Sequence, residues 1–278
     1  MVKRAERRVL ALALLALCLA GCAGMHAERR YTSSVVQYLY PKDAKAEVPA
    51  VPRLALPLQV GVAFVPEEGS VGAHRLSEKE KMDLMERISA EFRKYPFVKG
   101  IELIPSSYLT RGGGFANLDQ IRTMYGTDVI ALLSHDQVQH TDQGLLSLSY
   151  WTIVGAYVIR GEKNDTNTMV DAAVYHVPSR KLLFRAPGTS HVKGRATPVN
   201  LTEQLRADSR AGFELASDEL VANLQDQLER FKVKVREAPQ EYVVEHRPGY
   251  TGGGSLGGVF SAALLVLGGL ALRAGRRT

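Results

Sequence analysis

Between residues 58 and 133 short apolar runs alternate with helical stripes, and the alternation predicts a β-α-β-α-β unit. Leu58-Gln59-Val60-Gly61-Val62-Ala63-Phe64-Val65 is nearly all apolar, the pattern of a buried strand, and Pro66 ends it. Ser77 with Glu80 three residues later forms a capping box. Met82, Met85, Ile88, Ser89 and Phe92 then fall on one face of a helix that stops before Pro96. Val98 to Ile104 is a second strand, closed by Pro105. Asn117 with Gln120 offers another capping box, and Leu118, Ile121 and Tyr125 stripe a short helix. Asp128 to Leu133 is the third strand.

The pattern then changes to consecutive strands at Leu148 to Arg160, Thr168 to His176 and Lys181 to Arg185. Gly161 to Asp165 and Val177 to Arg180 read as the hairpin turns between them. A last helix runs from Leu201 to Val235, with Leu205, Phe213, Ala216, Leu220, Leu224, Leu228 and Phe231 as its stripe. Together these predict an α/β (α+β) domain over 58–236 with element order β-α-β-α-β-β-β-β-α. A single mixed sheet, packed with helices on one face, is the economical arrangement. This order, with the Gly61-Val62-Ala63-Phe64-Val65-Pro66 start, resembles the α/β domain of envelope lipoproteins such as the curli secretion lipoprotein and the N-terminal domain of the Tol-system periplasmic protein. That resemblance implies fold alone.

The flanks carry addresses. Lys3, Arg4, Arg7 and Arg8 precede an apolar run of 12 residues, Val9 to Ala20, which is too short to span a bilayer. It closes on Leu19-Ala20-Gly21-Cys22, which resembles the lipobox of bacterial lipoproteins. The resemblance implies cleavage before Cys22 by signal peptidase II, so that 1–21 is a signal peptide and the Cys22 thiol carries the lipid. Several acyl chains on Cys22 give stable membrane anchoring, where one alone does not. Ala23 after the cysteine favours export to the outer membrane, again by resemblance. Residues 22–57, polar at first and holding Pro41, Pro49, Pro52 and Pro57, are expected to be a tether, with Val35 to Tyr40 docking on its own domain.

At the other end, 237–251 reads as a linker, and 252–278 as a tail containing a transmembrane helix. Its apolar stretch of 17 residues, Leu256 to Leu272, reaches about 26 Å as a helix. Arg273, Arg276 and Arg277 follow and would stay cytoplasmic, which puts the domain in the periplasm. Gly252-Gly253-Gly254-Ser255 lies just before the apolar stretch, and the whole resembles a GlyGly-CTERM sorting signal, the substrate of the intramembrane protease rhombosortase. Such a protease must unwind its substrate, and each glycine weakens a helix by about 1 kcal/mol relative to alanine. Lipobox and tail on one chain resemble the rhombotarget lipoprotein family. That family implies a Gram-negative envelope protein held in the inner membrane during maturation, then cut at its tail and carried to the outer membrane or cell surface.

These ends also explain the charge. The formal net charge of +6 comes from a surplus of three before Cys22 and three more after Gly254, so the remainder is neutral and a nucleic-acid partner has no support. Of the two cysteines, Cys18 lies in the signal peptide and Cys22 carries lipid, leaving no thiol for a disulfide or a thiolate metal site.

Chemical motifs in the middle are sparse. His135, Asp136, His140 and Asp142 follow the third strand but match no standard ligand spacing, so no metal is expected. Gly112-Gly113-Gly114 precedes a helix without the Lys-Ser/Thr of a phosphate loop, and Arg111 beside it is a weak anion signal. No Gly-x-Ser-x-Gly elbow occurs between 58 and 236. Tyr150, Trp151, Tyr157 and Tyr175 read as core, or as a binding face. The expectation is a lipoprotein without enzymatic activity or cofactor, acting by contact with an envelope partner. An exported hydrolase or metal enzyme centred on His135 to Asp142 is one alternative, and a protein that keeps both inner-membrane anchors is the other.

Overall fold

The structure, a computed structural model, describes residues 26–42, 48–71, 75–143, 162–197 and 199–250. Its layering follows from strands that are apolar on both faces. In β3 (Leu58–Phe64), Val62 and Phe64 join one core, while Ala63 and the following Val65 join another. In β6 (Val129–Gln143), Val129, Ala131 and Leu133 are likewise opposed by Ile130 and Leu132. Strands of this kind need cover on both sides. Helices α2 (Glu78–Phe92) and α4 (Leu201–Glu237) supply it on the first face. Helices α1 (Val35–Leu39) and α3 (Gly114–Tyr125) supply it on the second. The mixed α+β sheet is as expected, and the expectation of helices on one face is corrected.

The main sheet has seven strands among the described residues, with β6 as its spine. Along its whole length β6 pairs with antiparallel β7 (Glu162–His176), which pairs with β8 (Lys181–Ala196). Its other edge is shared. Parallel β3 takes Val129 to Leu133, and antiparallel β1 (His26–Ser33) takes Asp136 to Asp142. Parallel β5 (Val98–Ile104) lies beyond β3, and antiparallel β4 (Glu67–Val71) beyond β1. A second, two-stranded parallel sheet joins β2 (Arg53–Leu56) to β9 (Val243–His246).

The boundaries move accordingly. Within the expected tether 22–57, β1, α1 and β2 belong to the domain, with Tyr31, Tyr38 and Leu39 at 2% exposure or less. Within the expected linker 237–251, Tyr242 is buried and β9 is a strand. The third strand runs on to Gln143, because β1 and β7 hydrogen-bond its polar second half from both edges. Glu162 to Asp165 lie in β7 and make no turn; the expected strand Leu148 to Arg160 falls outside the described residues.

Local signals fared unevenly. The Ser77 box forms as expected, with Ser77 N–H donating to Glu80 Oε2 at 2.8 Å and Glu80 N–H to Ser77 Oγ at 3.2 Å. Asn117 caps nothing, since α3 already begins at Gly114. Its buried amide instead brackets α3 to its surroundings. Oδ1 accepts from Tyr38 Oη at 2.9 Å and Thr110 N–H at 3.0 Å, and Nδ2 donates to Tyr108 O at 3.2 Å.

Candidate functional site

Leu19, Ala20, Gly21, Cys22, Gly252 to Ser255, Arg273, Arg276 and Arg277 lie outside the described residues, as do Tyr150, Trp151 and Tyr157. No helix among the described residues is long and apolar enough to cross a membrane. His135, Asp136, His140 and Asp142 all stand on β6, and strand alternation sets His135 on the opposite face from Asp136 and His140. Among the described residues no three His, Cys, Asp or Glu side chains are placed to share a metal.

His135 faces α4 and is 1% exposed. Its ring lies 4.7 Å from that of Tyr31 and 5.4 Å, edge to face, from that of Phe213. Burial, with Lys81 adding a smaller push, lowers its pKa from 6.5 to about 3, so the imidazole is neutral. Both ring nitrogens lack a hydrogen-bond partner, and the side chain serves as an aromatic filler. Further along the same face, Gln137 Nε2 donates to Thr168 Oγ1 at 2.7 Å and Ser209 O at 3.1 Å. Gln139 Nε2 donates to Thr166 Oγ1 at 3.1 Å and Leu205 O at 2.8 Å. This half of the sheet meets α4 through a polar seam.

The triple glycine is a packing turn. Gly112 and Gly114 have φ of +62° and +58°, and a Cβ on Gly114 would stand 3.3 Å from Leu39 O. A Cβ on Gly113 would come within 2.5 Å of Thr110 Oγ1. These glycines let the loop pack closely on Leu39 and on its own side chains.

A different feature holds the room a ligand requires. Between α2, the C-terminal third of α4 and the β2–β9 pair lies a cavity of about 120 Å³. Val60, Val62, Val129 and Ala131 line it from the sheet, Ile88 and Phe92 from α2. Leu224, Leu228, Phe231 and Val235 line it from α4, and Leu54, Leu56 and Val244 from the small sheet. The wall is hydrocarbon only. Lys232 lends its stem while its Nζ turns to Glu229 at 2.7 Å.

The cover is tied down at several points. Arg53 Nη1 reaches Glu245 Oε1 at 3.4 Å across the small sheet, and Arg247 N–H donates to Leu56 O at 2.9 Å. Tyr242, inside the cover, packs edge to face on Phe231 at 5.4 Å.

No protein-family model matches the chain, and no curated protein matches it in sequence. Among solved structures it is similar to a Helicobacter pylori protein described as a homologue of the neuraminyllactose-binding hemagglutinin, with 7% identity, a TM-score of 0.37, and 72% of this chain and 97% of that one covered. It is also similar to the PelC dodecamer from Paraburkholderia phytofirmans, with 12% identity, a TM-score of 0.28, and 71% and 96% covered. A third is a DUF330 protein from Xanthomonas campestris, with 13% identity, a TM-score of 0.22, and 65% and 95% covered.

Exposure is graded along the cavity. Val62 and Leu224 at one end are 1% and 2% exposed, while Val244 at the other is 40% exposed. The buried end of the lining lies where the C-terminal third of α4 begins, and its most exposed member lies on β9. The stripes of α2 and α4 announced half of its wall in the sequence. The other half, on strands of four residues each in β2 and β9, is too short to show a period.

Proposed function

We propose that the chain is a non-enzymatic lipoprotein of the Gram-negative envelope that works by binding another envelope component. Signal peptidase II cuts before Cys22, lipid on Cys22 anchors the product, and rhombosortase removes the tail within Gly252 to Ser255. The mature protein then resides in the outer membrane or at the cell surface. The observation that carries the binding role is the hydrocarbon-lined cavity, whose wall offers no nucleophile and no acid–base pair and so favours occupancy over chemistry.

The placement of the ends supports the processing scheme. His26, four residues after Cys22, pairs opposite Asp142. Arg247, five residues before Gly252, is bonded to Asp128. His26 and Arg247 therefore meet β6 at opposite ends, about 45 Å of strand apart, which is compatible with separate processing at the two ends.

Intact mass of the protein extracted from native membranes tests this. The expected mass is that of acylated Cys22 with everything after the glycines lost. Acylation with the arginine tail retained would overturn the rhombosortase step and leave a protein anchored twice in the inner membrane. An unmodified Cys22 would overturn the anchor.

A further inference from the structure

We infer that the cavity between α2, α4 and the β2–β9 pair is a binding site for a single fatty-acyl chain of an envelope lipid. The inference deepens the proposed envelope role, which supplies the lipid.

Four observations converge on this ligand. First, protein interiors are packed to crystal density, and a void of about 120 Å³ is far larger than ordinary packing defects. Cavities lined by Leu, Val, Ile and Phe stay dry and take up apolar guests. Second, the wall has no donor or acceptor to meet a polar guest, so a sugar, nucleotide or peptide backbone would be buried with its hydrogen bonds unmade.

Third, the lining runs along α4 from Leu224 to Val235, about 17 Å of helix. A wall that long and wholly apolar makes the cavity a bore that suits the methyl end of a linear chain. Fourth, the lining is buried at Val62 and Leu224 and 40% exposed at Val244, so the Val244 side is where a chain would enter methyl end first and leave its head group outside. Lys232 lines the cavity, and Lys234 follows two residues on in α4. Lys232 is paired with Glu229, and Lys234 Nζ lies 5.6 Å from the Tyr242 ring centroid.

The test uses cells making the full-length chain, fed palmitic acid that carries a diazirine and an alkyne. After irradiation the protein is purified and its lipid adducts are mapped by mass spectrometry. Adducts are expected on the peptides that carry Ile88 to Phe92 and Leu224 to Val235. Ala131→Phe, which fills the bore, should lower that labelling by roughly tenfold. If Ala131→Phe does not fold, Val244→Asp at the half-exposed mouth serves in its place and should lower labelling by a similar factor.

Cys22→Ser separates the two readings. It removes any acyl group at the N-terminus and should leave the cavity adduct in place. Cavity adducts without acylation of Cys22 would defeat the lipoprotein reading and support this one. Acylated Cys22 with no adduct on the cavity peptides would overturn the inference, as would adducts left unchanged by Ala131→Phe or, in its place, by Val244→Asp. Labelling that appears only in a chain ending at Tyr250 would also overturn it, assigning the bore to the Leu256 to Leu272 segment of the chain itself.

Discussion

Arg247 Nη2 stands 2.6 Å from Asp128 Oδ2, and this contact pins the cover of the cavity to the first turn of chain before β6. Asp128 also receives Arg122 Nε at 3.4 Å, so one carboxylate holds α3 and the end of β9 together. Half-exposed ion pairs contribute little to global stability. Their local effect is larger. Arg247→Ala should speed amide exchange at 53–56 and 243–246 by roughly tenfold while lowering unfolding free energy by less than about 1 kcal/mol. Unchanged exchange in those two strands would show that the pair does not hold the cover.

Acid should weaken the fold through His135. The unfolded chain takes up a proton near pH 6.5, and burial denies it to the folded chain until the pH approaches about 3. The folded pKa is the lower one, so this stability is complete above pH 6.5 and is lost as pH falls toward 3, by about 1.4 kcal/mol per pH unit. His135→Phe should flatten most of that slope in urea unfolding at pH 7.5 and 5.0. His176, also lowered by burial, leaves a smaller residue of it. A variant as acid-sensitive as the parent would acquit His135.

Two glycines separate packing from backbone strain. A Cβ on Gly188 would overlap the Ala216 carbonyl oxygen and come 2.5 Å from Leu220 N, on the turn of α4 that rests against β8. Gly188→Ala must push the helix off the sheet, at a cost of about 3 kcal/mol or more. Gly126, the left-handed cap of α3 at φ +65°, has nothing within 4 Å of its would-be Cβ. Gly126→Ala should cost only about 1 kcal/mol. Equal losses in chemical denaturation would contradict this assignment.

Asn117 ought to be worth more than any one of its bonds. Asn117→Ala leaves the buried Tyr38 Oη and the half-buried Thr110 N–H unmet, for a loss of about 2 kcal/mol. Tyr38→Phe removes a single bond, about 1 kcal/mol. In the double variant the losses should fall short of additive, and strict additivity in a mutant cycle would refute a shared network.

Which parts of this fold could be read from the sequence depended on what each element packs against. β3, β5 and the first five residues of β6 were legible because they bury hydrocarbon on both faces, and α2 and α4 because their stripes meet those strands. β1 was not, because in His26 to Ser33 the sheet is held by backbone bonds and Tyr31 supplies the large buried apolar side chain. The second half of β6 was missed for a related reason. Toward α4 it buries His135, Gln137, Gln139 and Thr141, a polar face that becomes intelligible only with the α4 carbonyls in place. The cavity was half visible. Ile88, Phe92, Leu224, Leu228 and Phe231 lay in recognised stripes, whereas Leu54 and Val244 were hidden in segments that read as tether and linker.

His26 lies opposite Asp142, and Arg247 against Asp128, so a pull between the two ends of the folded chain runs along β6. Tension in that direction loads the hydrogen bonds of a strand pair side by side, in shear, and they must yield together. The seven residue pairs of β1 on β6 would then grip as a clutch, where the same bonds pulled crosswise would open like a zip.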